Sequence, residues 1–206
     1  MRTISEMLRS NLQLRALGFD DAPFSTNPRI FGSVVNVVGI ATSNSKFEGM
    51  LYGSIKQDFL DSTDVLISMI KRSKFLPQIH AVLIDGLTLG GLNVVDLQKV
   101  ATEVDRVCVA VMRRQPNIEK MLNAMRNLPH FEERSSLLTK AGPIHVVQNW
   151  TFQYRVPNPH DYTTPEDVAK LLQLLTPTGT QKIPECLRIA HLIGAAIKTG
   201  ESGSSA

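Results

Sequence analysis

Ala81-Val82-Leu83-Ile84-Asp85-Gly86 constrains the fold of this chain more than any other stretch. Four apolar residues run without a break into a carboxylate and a glycine. A short apolar run that ends in a turn signal reads as a strand buried on both faces. Such strands sit inside sheets with helices on either side, and open sheets of that kind bind ligands outside the carboxyl ends of their strands. Asp85 stands at that end. Leu17-Gly18-Phe19-Asp20-Asp21 has the same form, an apolar strand running into carboxylates. Two strand-end aspartates meeting at one place would give a hard, oxygen-rich site suited to Mg2+.

The remaining pattern supplies a sheet around these two strands. Residues 12 to 20 alternate apolar and polar, and the period of two sends Asp20 and Asp21 to opposite faces. One of the pair should therefore enter a shared site, leaving Asp21 as a turn or supporting residue. Residues 22 to 32 hold two prolines and read as a loop. Residues 33 to 42 and 48 to 57 read as strands, and Ser43-Asn44-Ser45-Lys46 between them is turn chemistry. The three strands form an antiparallel meander. Asp61 or Ser62 caps a helix that runs to about Phe75 and is stopped by Pro77.

After the Asp85 strand come a glycine-rich loop, Gly86-Leu87-Thr88-Leu89-Gly90-Gly91-Leu92-Asn93, and a helix over 94 to 104. Val107-Cys108-Val109-Ala110-Val111-Met112 is another buried strand, ending in Arg113-Arg114. Pro116-Asn117 opens a helix with Ile118, Met121, Leu122, Met125 and Leu128 on one side, 131 to 140 is a short helix, and 144 to 147 and 151 to 156 are a pair of strands. Pro165 and Pro184 open the last two helices. Meander strands followed by alternating strands and helices give an α/β class: a mixed sheet with helices on both faces. The expected organisation is one domain over 206 residues, with 1 to 10 as an N-terminal arm or frayed helix and 200 to 206 as a flexible tail.

Composition sets limits on function. An apolar fraction of 43% supports a sizeable core, and a net charge of +3 permits nucleic-acid binding without arguing for it. Cys108 and Cys186 match no metal or redox spacing, and Cys108 falls inside an apolar run, as a buried thiol would. No run is long and apolar enough to span a bilayer, so no membrane partner is expected. Met1-Arg2-Thr3-Ile4-Ser5-Glu6 leads into a polar segment, unlike a secretory signal, so a reducing cytoplasm is the expected location.

Four motifs in order carry a family resemblance: Gly18-Phe19-Asp20-Asp21-Ala22-Pro23-Phe24, Asp85-Gly86-Leu87-Thr88, Met112-Arg113-Arg114-Gln115-Pro116-Asn117 and Ile183-Pro184-Glu185-Cys186-Leu187-Arg188-Ile189-Ala190-His191. Together they resemble the prokaryotic domain-of-unknown-function family 99, over roughly residues 12 to 201. That family is similar to endonuclease V, a magnesium-dependent nuclease of ribonuclease H-like fold that recognises deaminated purines. Gly18-Phe19-Asp20 matches its first-strand motif, Asp85-Gly86 its fourth-strand motif, and Pro184, Glu185, Arg188, Ala190 and His191 its last-helix pattern. Where endonuclease V has a helix-start glutamate, this chain offers Asp61 and Asp64. Leu51-Tyr52-Gly53-Ser54 lacks the proline and glycine of its Tyr-x-Pro-Gly wedge. Its lysine after the fifth strand is replaced by Arg113 or Arg114.

The resemblance implies Mg2+ (or Mn2+) held by Asp20 and Asp85, with Asp61 as a third ligand. His191 would transfer protons, since an ordinary imidazole titrates at about 6.5. Arg113 or Arg114 would hold a phosphate. Gly86, Gly90 and Gly91 would let a base approach the backbone, and Asp21 and Arg188 would support the ligands. Each residue also has a plainer reading: Asp61 as a helix cap, Arg188 as the i, i+3 partner of Glu185, Gly90-Gly91 as a turn. The leading expectation is a metal-dependent nuclease for DNA or RNA, acting at deaminated or single-stranded nucleotides. The alternatives are a nucleic-acid-binding protein without catalysis and a nucleotide phosphohydrolase.

Overall fold

The computed structural model describes residues 3–10, 12–179 and 183–202. In chain order the elements are α1 (Ile4–Arg9), β1 (Arg15–Asp21), β2 (Val34–Ser43), β3 (Lys46–Lys56), α2 (Ser62–Lys71), β4 (Ala81–Asp85), β5 (Thr88–Leu89), β6 (Asn93–Val94), α3 (Leu97–Val104), β7 (Val107–Met112), α4 (Ile118–Met125), α5 (Phe131–Lys140), β8 (His145–Val147), β9 (Trp150–Arg155), α6 (Pro165–Leu174) and α7 (Glu185–Thr199).

Seven strands make one mixed sheet in the order β3-β2-β1-β4-β7-β9-β8. β1, β2 and β3 are the antiparallel meander expected from the hairpin chemistry. β4 runs parallel to β1 on one side and to β7 on the other, and β9 and β8 close the far edge antiparallel. β4 is the middle strand, and Ala81, Val82, Leu83 and Ile84 are wholly buried.

The pleat sorts the inner strands into two cores. Leu17, Phe19, Val82, Ile84, Cys108 and Ala110 face one layer, built on α2 and α3 with Met125 of α4 and Leu138 of α5. Ala16, Ala81, Leu83, Val107, Val109 and Val111 face the other, built on α1, α6 and α7. The same parity fixes the strand ends. Asp20, Asp85 and Arg113 continue the rows that face α7, and Asp21 continues the row on the opposite side.

Four boundaries differ from expectation. α2 ends at Lys71, and turns carry the chain on to the buried Phe75. The glycine-rich stretch is a small hairpin, because Thr88 pairs with Val94 and Leu89 with Asn93; α3 then starts at Leu97. α4 stops at Met125. Residues 3 to 10 are not an arm. α1 starts with a capping box between Thr3 and Glu6, buries Ile4 and Met7, and ties to α6 through Ser5 Oγ, which donates to Asp167 Oδ2 at 2.6 Å. Six residues carry too little periodicity for that docking to be read from sequence. Gly200 ends α7 in the left-handed region with φ +86°. The expected flexible tail falls mostly on 203–206, outside the described residues. No helix among the described residues is long and apolar enough to cross a membrane.

Candidate active site

β1 and β4 run side by side with Phe19 opposite Ile84, so the next step along each strand carries Asp20 and Asp85. α7 closes over this strand end because β1 has no side chain where the helix crosses. A Cβ on Gly18 would lie 2.6 Å from Cys186 Sγ and 3.0 Å from the Cys186 backbone carbon. A turn and a half further along α7, His191 reaches back to β1. Its Nδ1 lies 2.9 Å from Asp20 Oδ2. A carboxylate only accepts, so Nδ1 carries the proton and Nε2 is left free.

Ligand atoms of Asp20, Asp85 and His191 all lie within 4.8 Å of one another, the one such group among the described residues. Asp20 is nearly buried, at 5% exposure. Arg113, half exposed, places Nη2 3.3 Å from Asp85 Oδ2. Asp20, Asp21, Phe24, Asp85, Arg113 and His191 line an open cleft of about 360 Å³.

The electrostatics match this crowding. Burial, and then the neighbouring Asp20 charge, push Asp85 up to about 6 against the pull of Arg113 and His191. Burial and the Asp20 charge push Asp21 up to about 7. His191 is raised chiefly by its hydrogen bond to Asp20. One buried and one partly buried carboxylate converging beside an imidazole make a donor set that fits a divalent cation. Asp20 and Asp85 are the oxygens that would hold it.

The other sequence-derived candidates fall at different distances from this centre. Asp21 points to the opposite face, where its Oδ2 accepts from Gly90 N at 2.8 Å and pins the hairpin turn. Asp61 does not join the cluster. It occupies the N-cap position of α2 without a side-chain cap bond, and its carboxylate accepts from Lys56 N and from Asn93 Nδ2, the latter at 2.7 Å. Gly86, with φ +84°, donates to Val111 O and has open space beside it.

Gly90 and Gly91 do not offer the open backbone that a base would need. A Cβ on Gly90 would meet Ile55 and Val35, and one on Gly91 would run into Asp58 and Arg29. Protein atoms already fill that space. Arg114 lies on the rim of a second cavity of about 240 Å³, which shares Asp85 and Arg113 with the cleft. Arg188 is held by Glu185 through two bonds of 2.7 Å, the i, i+3 pairing.

Two polar residues beside the site carried no motif. Asn93 accepts from Ser62 N and donates to Lys56 O and Asp61, so it locks the start of α2 to the hairpin. Gln153 of β9 is 3% exposed and lines the second cavity. Its only sequence signal is an amide on the inward row of a strand.

An antiparallel meander joined through β1 to parallel β4 and β7, with helices on both faces, is a ribonuclease H-like α/β fold of the endonuclease V kind. Endonuclease V of Ciona intestinalis, solved with DNA containing an inosine followed by a ribo-adenosine, superposes with a TM-score of 0.51 at 13% identity, over 87% of this chain and 84% of that one. The chain belongs to the endonuclease dU family, whose model matches residues 12–198. A UPF0215 protein of Archaeoglobus fulgidus is 42% identical over 170 residues, covering 82% of this chain and 90% of its own. The crystal structure of an A. fulgidus protein of unknown function superposes with a TM-score of 0.80 at 39% identity, over 90% and 98% of the two chains.

Proposed function

We propose that this chain is a divalent-metal-dependent endonuclease that hydrolyses a phosphodiester beside a deaminated base, with deoxyuridine in DNA as the leading substrate. One observation carries the chemistry: Asp20, Asp85 and His191 converge at the ends of parallel strands, with Arg113 beside them. The family description, endonuclease dU, supports the substrate.

Asp20 and Asp85 would hold Mg2+ or Mn2+. The cation would supply Lewis acidity toward the phosphoryl oxygens and lower the pKa of a bound water. Arg113 reaches from the rim of the cleft to orient the scissile phosphate, where its planar fork gives two parallel hydrogen bonds. Asp20 holds the imidazole of His191, and the free Nε2 moves a proton to or from the reacting oxygens. Asp21 keeps the hairpin against the strand ends. Asp61 has a structural part in this reading. A cytoplasmic setting and a role in repairing deaminated DNA follow from the same reading, and the two buried, unpaired cysteines are compatible with a reducing compartment.

The test is cleavage of oligonucleotides containing deoxyuridine, inosine or neither, in single- and double-stranded form, with Mg2+, with Mn2+ and with EDTA. Metal-dependent cleavage at the deaminated base is expected. Asp20→Asn and Asp85→Asn should each reduce it by at least about a thousandfold, the scale of losing a group that organises the reacting centre. Cleavage that survives both substitutions would overturn the assignment.

A further inference from the structure

The loop over residues 22 to 33 leaves β1 directly after Asp20 and Asp21 and shows an apolar tip to solvent. Ile30 is 55% exposed, Phe31 44%, and Val34 at the start of β2 73%. The tip is tied down from behind. Gln57 is wholly buried; its Nε2 donates to Ser25 O at 3.2 Å and its Oε1 accepts from Ser33 Oγ at 2.7 Å. Its main chain pairs with Gly32 and Ser33, and the guanidinium of Arg29 binds the buried Asp58. Single exposed apolar residues are ordinary, but a cluster held out by a buried polar network is a built surface.

The surroundings of Phe31 say what that surface fits. Its ring lies 5.7 Å from Phe59, and Lys56 Nζ stands over the Phe59 ring at 4.8 Å. No carboxylate pairs with that ammonium among the described residues. Exposed rings beside a free cation offer a face for a base and a charge for a phosphate, the combination that single-strand grooves use. The cluster also stands at the site's end of the sheet. β1 and β3 both pair antiparallel with β2, so they run parallel and Lys56 ends β3 at the edge where Asp20 ends β1. Ile55 packs into the core under α2, so Lys56 turns to the side of the sheet that Asp20 faces. Two strand spacings and the four residues of β2 between Val38 and Val34 separate them, a reach of about 15–17 Å. Phe24, in the same loop as Phe31, lines the cleft.

We infer that Phe31 and Lys56 form a platform for single-stranded nucleic acid beside the cleft, where Phe31 stacks an unpaired base and Lys56 contacts the neighbouring phosphate. The inference rests on the nuclease reading for where the strand leads, a few nucleotides on, into the cleft; the binding itself does not depend on that reading. Every base has a π-face, so the platform tolerates any sequence. It favours an unpaired strand, whose bases can splay out and stack, over a duplex, whose bases already stack on each other. The anchored backbone means that little order is lost when the strand docks.

The test changes the strand as well as the protein. Two short single-stranded oligonucleotides share a central deoxyuridine; one carries every other base and the other is abasic at every other position. Binding is read by fluorescence anisotropy in EDTA, which prevents metal-dependent turnover. The wild-type protein should bind the base-bearing strand more tightly. Phe31→Ala should weaken that binding by about fivefold to a hundredfold, the worth of one base stacked on an aromatic ring, and leave the abasic strand unchanged. Phe31→Trp, which restores a ring, should bind as the wild type does. Lys56→Gln should lower the slope of log K against log salt by about 0.7 on both strands, as the loss of one phosphate contact to a single strand requires. Thermal melts confirm that each variant is folded. No binding by the wild type at low salt, no loss in Phe31→Ala, or an equal loss on both strands would overturn the platform. Self-association of the wild type that Phe31→Ala abolishes, read by analytical ultracentrifugation, would give the surface to a second copy of the chain and overturn it as well. Cleavage is measured separately in Mg2+: a wild type that binds as expected and cuts nothing would overturn the nuclease reading and leave the platform standing.

Discussion

Arg134 shows what single residues do in this molecule beyond the chemistry. It is wholly buried, and its guanidinium donates to four carbonyls, those of Asp58, Phe59, Leu92 and Pro129. It thereby stitches α5 to the turn before α2 and to the hairpin beside the site. Arg134→Met removes the donors and leaves the acceptors buried. Chemical denaturation should register a loss of about 3 kcal/mol or more. Asp58, one of those partners, sits in the left-handed region at φ +57° and pairs with Arg29. Burial alone would raise its carboxyl, but the Arg29 bonds, Leu92 N and the charges of Arg29 and Arg134 together hold it below the ordinary range. A depressed folded-state pKa contributes stability that is present above the unfolded value of about 3.9 and is lost as pH falls through the folded value. Asp58→Asn keeps the backbone, since asparagine tolerates the same φ. Comparing denaturation midpoints at pH 7 and pH 3 should show a smaller acid-induced drop in the variant. An identical drop would remove Asp58 from the acid response. None of this was legible in the sequence, where Arg134 is one charged residue on a polar helix and Asp58 precedes another carboxylate only three positions on.

At the scale of elements, the strand ends were legible and the packing was not. An apolar run ending in aspartate announced β1 and β4, and the period of two assigned Asp20 and Asp21 to different faces. Asp61 shows the limit. Residue type and helix start allow both a ligand and a cap, and the neighbouring hairpin decides its contacts by donating from Asn93. The hairpin was read as a loop because two-residue strands carry no period. Gly18 matters for the same reason: its role depends on what crosses it. Gly18→Ala would put a Cβ against the Cys186 backbone, which cannot yield as a flexible side-chain tip would. α7 must shift outward, which should cost about 1–3 kcal/mol and move His191 away from Asp20. Calorimetry should show the lowered melting temperature. The His191 proton resonances should titrate at lower pH than in the wild type, because the hydrogen bond that raises the imidazole is weakened. An unchanged melt and titration would mean that the helix has room to spare.

For the whole molecule, sequence order was enough to predict a meander followed by parallel strands, and hence a mixed sheet between two helical layers. The layers themselves follow from strand parity, since β2, β1, β4 and β7 each contribute to both cores. A shared sheet makes the cores interdependent. Unfolding followed by far-UV circular dichroism and by fluorescence of Trp150, which is buried on β9 and is the one tryptophan of the chain, should give coincident transitions. Separate transitions would divide the chain into independent units. The same architecture brings Asp20, Asp85 and His191 within 4.8 Å of one another, and the reading of the site stands on that convergence. Mn2+ binding measured by isothermal titration calorimetry on the wild type, Asp20→Asn and Asp85→Asn tests it most directly. The expected result is saturable binding by the wild type that weakens by tenfold or more in each variant. Equal binding by all three proteins, or none by the wild type, would contradict the metal centre.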